Sequence, residues 1–539
     1  MLSYAEAYRH FSLVDLERRI YGASPPEALN GATLCCDRWA AQGRIALNFV
    51  DKDFHLSRVT FESLKDSSSR FANLLAARGV KRGDVVAGLL PRVPELLTVV
   101  LGAWRIGAIY QPLFTAFGPA AIHSRVTARS GSQAKLIVTD AANWPKLDDV
   151  PNAPPSLLID HGRPGAHDFA DALASYSSDC PAVALGLDDP LILLFTSGTT
   201  GSPKGVRHAI KLFGAIAAYM LDGLDVRAED TYWNIADPGW AYGLYYAILG
   251  PLLLGHVTTL FEGGFTVEHA LRVIETVGVN NLAGAPTAYR LLMAAGDAAM
   301  APISGKLRVA SSAGEPLNPE VMRWAERALR CPLGDHYGQT ELGMVVNNHH
   351  GIAQELRPGS AGLPMPGFDV EVLDDKMNPV PTDVAGVLAI RLKTSPLMPF
   401  SGYWGADTPQ LTDEWYVTGD TMHRDAQGYL HFTGRNDDII TSSGYRIGPF
   451  DVESVLIEHP AVAEVAVIGK PDPERTEIVK AFVVLRKGFV GDEKLAAELQ
   501  QHVRKRLSLH AYPREIEFPA DLPRTPSGKV QRFLLRREA

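Results

Sequence analysis

Leu191-Ile-Leu-Leu-Phe195 empties into Thr196-Ser-Gly-Thr-Thr-Gly-Ser-Pro-Lys-Gly205, and the reading of this junction decides the fold. The apolar run fits a strand buried on both faces, the kind that parallel sheets use. The segment after it offers backbone N–H groups, hydroxyl donors and one mobile cation, Lys204, which are the groups a polyphosphate needs. It is not a Walker A loop: that loop needs Gly-Lys followed by Ser or Thr, and here Lys204 stands between Pro203 and Gly205. No GxG occurs in the chain, so the dinucleotide fingerprint is absent too. Taken alone, such a Gly/Ser/Thr stretch reads as a surface linker; its company along the chain decides otherwise.

Outward from the junction, short β-branched runs alternate with helical patterns over most of the chain. This predicts an α/β architecture with mainly parallel sheets. Thr60 caps a helix carrying Leu64, Phe71, Leu74 and Leu75 on one face; Gly79 ends it, and Val85–Leu90 reads as a buried strand. Pro94 opens a helix that is apolar almost all round and therefore interior. Leu307–Ala310 reads as a further strand. After Gly434–Asp438 the pattern changes. A helix with Val452, Val455 and Leu456 inward precedes strands at Val465–Ile468 and Val479–Leu485. A second helix has Leu495, Leu499, Val503 and Leu507 at i, i+4 spacing, and a strand follows at Ile516–Phe518. We therefore expect a large N-terminal α/β domain over residues 1–436 and a small α+β C-terminal domain over 437–539.

Composition narrows the function classes. The chain has 539 residues, 46% hydrophobic and 21% charged, a globular balance. A formal charge of −9 argues against a nucleic-acid partner held by bulk electrostatics, but not against a small anion in a local basic cradle. Four cysteines without a CxxC spacing provide neither a disulfide framework nor a zinc ribbon and point to reducing surroundings. The N-terminus lacks the pattern of a signal peptide, and the apolar stretch from Val85 to Phe114 is broken by Arg92, Pro94, Glu95 and Arg105. The expectation is a cytoplasmic protein with no membrane partner.

Further signatures follow the junction in order: Gly314-Glu-Pro316, Asp335-His-Tyr-Gly-Gln-Thr-Glu341, Tyr416-Val-Thr-Gly-Asp420, Gly434-Arg435, Ser443-Gly-Tyr-Arg446 and Pro526-Ser-Gly-Lys529. With Thr196–Gly205 they resemble the adenylate-forming superfamily, the acyl-CoA synthetases with their luciferase and peptide-synthetase relatives, over essentially the whole chain. The resemblance implies ATP, Mg2+ and coenzyme A as reactants and cofactor. A carboxylate attacks the α-phosphorus of ATP to give an acyl-adenylate and pyrophosphate, and a thiol then displaces AMP. Both steps load negative charge onto phosphates, so stabilisation must be mainly electrostatic.

By the same resemblance, Thr196, Ser197, Gly198, Thr199, Thr200 and Lys204 hold the β- and γ-phosphates, Thr340 meets the α-phosphate and Glu341 holds magnesium. Gly314, Glu315, Pro316, Asp335, Tyr337 and Gln339 line the adenine side, while Asp420 and Arg435 take the ribose. Lys529 bridges carboxylate and α-phosphate during adenylation. Ser443, Gly444 and Arg446 resemble a loop that serves thioester formation, with Arg446 also counted among the catalytic and nucleotide-contacting residues. One site can hardly host Lys529 and that loop together, so the small domain is expected to swing about Asp437. Exposure of Lys529 also makes it a target for a protein acyltransferase and deacylase.

Ile235-Ala-Asp-Pro-Gly-Trp240 is similar to a segment of the acetyl-CoA and medium-chain acyl-CoA synthetase branch. Phe114 and Arg504 match positions that contact the CoA nucleotide there. The arginine pair expected near residues 145–148 for the CoA 3′-phosphate is missing, and Lys146 is the nearest cation. Trp240, Ala241, Tyr242, Ala313 and Gly338 match acyl-pocket positions. A tryptophan stands at the position of Gly338 in acetate-restricted relatives, so the glycine is expected to open the pocket to short- or medium-chain acids, straight or branched. An aromatic acid, a carrier-protein acceptor and a non-catalytic nucleotide-binding regulator are the alternatives; retention of Lys529, Glu341 and Asp420 argues against the last.

Overall fold

The computed structural model describes residues 1–22, 28–160, 169–196, 203–435, 438–442, 445–473, 475–508, 510–524 and 529–539. Two six-stranded sheets form the body. In the first the spatial order is Ser156–Leu158, Leu136–Thr139, Val85–Leu89, Ile109–Pro112, Pro190–Thr196 and Lys204–Ala209, parallel throughout except for the last pair. Val85–Leu89, Ile109–Pro112 and Leu136–Thr139 are buried along their whole length, as strands covered on both faces must be. The covering helices follow the predicted punctuation. Thr60 caps Phe61–Ala77, its Oγ1 accepting the Ser63 N–H at 3.1 Å. Pro94 opens Pro94–Arg105, which is buried from Leu96 onward. Even Arg105 is inside, its guanidinium held by Asp37 at 2.6 and 2.8 Å.

The second sheet runs Leu363–Pro364, Gly343–Asn347, Leu333–Gln339, Val309–Ala313, Asn281–Gly284 and Tyr232–Asn234. From Leu333–Gln339 to Tyr232–Asn234 the neighbours are parallel. The strands Pro190–Thr196, Val309–Ala313 and Leu333–Gln339 thus carry Thr196, Ala313 and Gln339 at their carboxyl ends, where open α/β sheets place ligands.

The expectation of mainly parallel sheets fails for residues 370–435. Val370–Leu373, Gly386–Arg391, Trp415–Arg424 and Leu430–Arg435 form a wholly antiparallel sheet. For the last pair of strands the cause is local: Asp425 Oδ1 accepts the N–H groups of Gln427 and Tyr429, both at 2.9 Å, and Gly428 takes φ +90°. Such a tight turn leaves no length for the crossover helix a parallel pair requires.

Residues from 440 onward build their own core, with Ile440, Val452, Leu456, Val467, Val479 and Leu499 at its centre. Leu507 does not join it: the helix Glu493–Arg506 ends one residue earlier, and Leu507 is exposed. Val455 is half-buried rather than interior. Contacts with the body include Asn318 Nδ2 donating to Ser454 Oγ at 3.4 Å and Arg323 paired with Glu458 at 3.5 Å. Asp437, the expected boundary, lies outside the described residues. Among the described residues no helix is long and apolar enough to cross a membrane.

Candidate functional site

Alternation along the strand Leu333–Gln339 puts Asp335, Tyr337 and Gln339 on one face. That face meets Asp420, which follows Gly419 (φ +76°) in the strand Trp415–Arg424. Asp420 Oδ2 accepts both the Tyr337 hydroxyl at 2.6 Å and Gln339 Nε2 at 2.7 Å, while Gln339 Oε1 accepts the Tyr416 hydroxyl at 2.9 Å. Arg435 stands opposite Asp420 in register. Burial raises the Asp420 pKa, and the positive charges of Arg435 and Lys529 oppose that rise. The charge of Lys529 thus reaches Asp420 from the small C-terminal unit.

Thr196 Oγ1 donates to the Lys204 carbonyl at 3.3 Å, closing the ends of the phosphate-loop candidate. Ser197, Gly198, Thr199 and Thr200 lie outside the described residues. Tyr403 links two charged groups: its hydroxyl donates to Glu341 Oε1 at 2.9 Å, and the Lys204 ammonium lies 5.0 Å from its ring centre. Burial raises the Glu341 pKa. The Thr340 carbonyl accepts His208 Nε2 at 2.7 Å, which fixes the tautomer; burial pushes the His208 pKa down to about 4, so the ring is neutral.

On the far side, Gly314 takes φ +101°, and a Cβ there would meet nothing within 4 Å. Glu315 is held by Arg290 at 2.9 Å, and Pro316 follows it. Asp335 Oδ2 accepts the Leu317 N–H at 3.1 Å, whereas its buried Oδ1 has no partner. Burial pushes the Asp335 pKa up to about 8.

The aromatic prediction is compact. Phe114, Phe117 and Trp240 pack with ring centres 5.4 to 5.8 Å apart, and Ala241 and Tyr242 follow Trp240. Lys146 lies beside this group, its ammonium donating to the Thr115 carbonyl and, at 2.7 Å, to Asn143 Oδ1. Ala313 is buried at the end of its strand. Gly338 has a structural reason to be glycine: a Cβ there would meet the Gly343 carbonyl oxygen at 2.0 Å and Met344 Sδ at 2.7 Å. A side chain at this position would strike the neighbouring strand, so the reading of Gly338 as a simple missing pocket floor is corrected to a close-approach glycine. Arg504 stacks on Tyr512 at 3.8 Å within the small unit. Arg446 lies in the strand Tyr445–Ile447, and Ser443 and Gly444 lie outside the described residues.

Residues 36–404 match the AMP-binding enzyme family, and residues 451–529 match the AMP-binding enzyme C-terminal domain. The chain belongs to the AMP-binding enzymes. This AMP-binding enzyme is 38% identical to acetyl-coenzyme A synthetase of Bacillus subtilis, over 99% of this chain and 94% of that one. Among solved structures, an acyl-CoA synthetase of Brucella canis is 53% identical with a TM-score of 0.81, covering 100% of this chain and 99% of that one. The anthranilate CoA ligase AuaEII in complex with anthranoyl-AMP is 27% identical with a TM-score of 0.86, covering 95% and 98%.

Several residues that organise the site of this AMP-binding enzyme were not singled out from the sequence: His208, Tyr403, and the pair Arg532–Glu453. Arg532 donates to both Glu453 oxygens at 2.7 and 2.9 Å, and Glu453 Oε1 also accepts the Val467 N–H at 2.8 Å. Arg532 follows Lys529 closely, so this pair, buried on the Glu453 side, anchors the segment that carries the lysine. The partners come from distant parts of the chain, and no local pattern announces them.

Proposed function

We propose that this AMP-forming acid–CoA ligase converts a short- to medium-chain carboxylic acid, straight or branched, into its CoA thioester through an acyl-adenylate. The observation that carries the reading is the meeting of Tyr337 and Gln339 with Asp420, which has Arg435 opposite it in register and feels the charge of Lys529. Tyr337 and Gln339 both donate to Asp420 Oδ2 and so fix the carboxylate that takes the ribose hydroxyls. The open space over Gly314 and the unpartnered Asp335 Oδ1 suit a flat base with an exocyclic amine, the adenine of ATP. Thr196, Lys204 and the intervening loop residues cradle the β- and γ-phosphates. Glu341, a hard oxygen donor oriented by Tyr403, would hold magnesium, which when bound offsets phosphate charge.

Lys529 places its ammonium between substrate carboxylate and α-phosphate, so that two anions can approach. Rotation about Asp437 then withdraws Lys529 and brings Ser443, Gly444 and Arg446 to the adenylate for thiol attack, with CoA passing Phe114 and Arg504. Acylation of Lys529 would remove the charge that adenylation needs. The acyl tail lies among Trp240, Ala241, Tyr242 and Ala313, with only the backbone of Gly338 beside it. Each methylene buried there contributes about 0.8 kcal/mol, roughly fourfold in affinity, which favours acids longer than acetate.

The test incubates the enzyme with ATP, magnesium, CoA and a panel of acids. AMP, pyrophosphate and an acyl-CoA are the expected products, with kcat/KM higher for butyrate than for acetate; equal values would remove the chain-length assignment. Lys529→Ala should abolish adenylation yet leave thioester formation from supplied adenylate largely intact, and equal loss of both would remove the role given to Lys529.

A further inference from the structure

We infer that the acyl pocket selects acids whose tail carries a hydrogen-bond donor, such as a hydroxyl group, and disfavours tails that end in a second carboxylate. The inference rests on the acyl-CoA synthetase reading above and on a chain of three side chains behind the pocket. His336 is buried, and its Nε2 lies 3.0 Å from the Asn348 carbonyl oxygen. A carbonyl only accepts, so Nε2 carries the proton. Burial holds the His336 pKa well below its ordinary value, so the ring is neutral and Nδ1 is a bare lone pair. The Tyr219 hydroxyl, 2.6 Å from Nδ1, must donate to it.

That commits the single proton of Tyr219. The next contact, 3.1 Å between the Tyr219 and Tyr242 hydroxyl oxygens, can then be a hydrogen bond only if Tyr242 is the donor. Tyr242 in turn has no proton left. Tyr219 and His336 are fully enclosed, whereas Tyr242 is half-buried and directly follows Trp240-Ala241, so it is the end of the relay that a substrate can reach. What it presents there is an acceptor without a donor. A tail hydroxyl can donate to it. A tail carboxylate finds lone pairs opposing lone pairs. The direction of every bond is set from the interior outward, by a backbone carbonyl that cannot reverse its role.

The experiment measures acid-dependent pyrophosphate exchange with acetate, butyrate, 3-hydroxybutyrate, 4-hydroxybutyrate and succinate. For the unmodified enzyme, at least one hydroxy acid should exceed butyrate in kcat/KM by about three- to tenfold, the size of one neutral hydrogen bond, and succinate should be the poorest. In Tyr242→Phe the ratio of hydroxy acid to butyrate should fall to about one, because the acceptor is gone. Tyr219→Phe removes the group that takes the Tyr242 proton. Tyr242 can then donate outward, and succinate should gain relative to butyrate. Butyrate equal to or better than both hydroxy acids, or a ratio untouched by Tyr242→Phe, overturns the inference while leaving the acyl-CoA synthetase reading in place. Exchange with none of the acids, acetate included, overturns that reading itself.

Discussion

Replacing Arg532 by alanine tests whether a residue outside the reaction centre holds Lys529 in it. Glu453 is 7% exposed and keeps the Val467 N–H as a donor, but it loses both bonds from Arg532. Leaving one member of a fully buried ion pair without its partner costs about 3–5 kcal/mol. The Arg532 side chain is 26% exposed, so water can partly replace it, and we take about 2 kcal/mol, an equilibrium factor of about 30. That loss falls on the segment carrying Lys529 rather than on the sheets. Pyrophosphate exchange should drop by about 30-fold, while thioester formation from supplied acyl-adenylate, in which the proposed mechanism gives Lys529 no part, should change less than about threefold. Arg532→Lys, which keeps the charge but gives up the planar fork, should fall between wild type and alanine. Equal losses in the two half-reactions, or no loss in exchange, would refute the reasoning.

Two further outcomes can be measured directly. Gly338→Ala should lower Tm and reduce adenylation of every acid alike, because the new methyl meets the Gly343 carbonyl; an unchanged Tm with a shift of preference towards acetate would restore the pocket-floor reading. Asp335 holds its proton up to about pH 8 in the folded enzyme, whereas its ordinary value is 3.8. Between those values the unfolded chain has lost a proton that the native state keeps, so this group lowers stability as pH rises, by up to about 1.4 kcal/mol per pH unit. Asp335→Asn removes that slope. The stability of the variant relative to wild type should therefore grow from pH 4 towards pH 8, and a difference independent of pH would refute the assignment.

Much of the fold was legible because its punctuation is local. The Thr60 cap, the Pro94 start and the buried strand beginning at Val85 each depend on neighbours within one turn or one alternation. Leu507 continued a spacing that the helix itself did not continue, since periodicity carries no stop signal of its own. The antiparallel pairing of Trp415–Arg424 with Leu430–Arg435 went unread because the turn chemistry around Asp425 and Gly428, not the strand pattern, sets its direction. In the site, Asp420, Tyr337 and Glu341 were visible through their motifs. Tyr403, His208 and Arg532 were not, because each acts through a partner far away in sequence: Glu341, Thr340 and Glu453. Gly338 was read for the side chain it lacks, when the deciding fact is a backbone oxygen on the adjacent strand.

The bonds from Asn318 to Ser454 and from Arg323 to Glu458 are long, and Arg323 is half open to water. Attractions of that kind are worth little each and weaken as salt is added. These two fastenings cost little to undo, while the apolar interior behind Ile440 and Val452 gives the smaller unit a core of its own. If the small unit alternates as proposed, added salt should loosen this arrangement, and the ratio of pyrophosphate exchange to thioester formation should change with ionic strength.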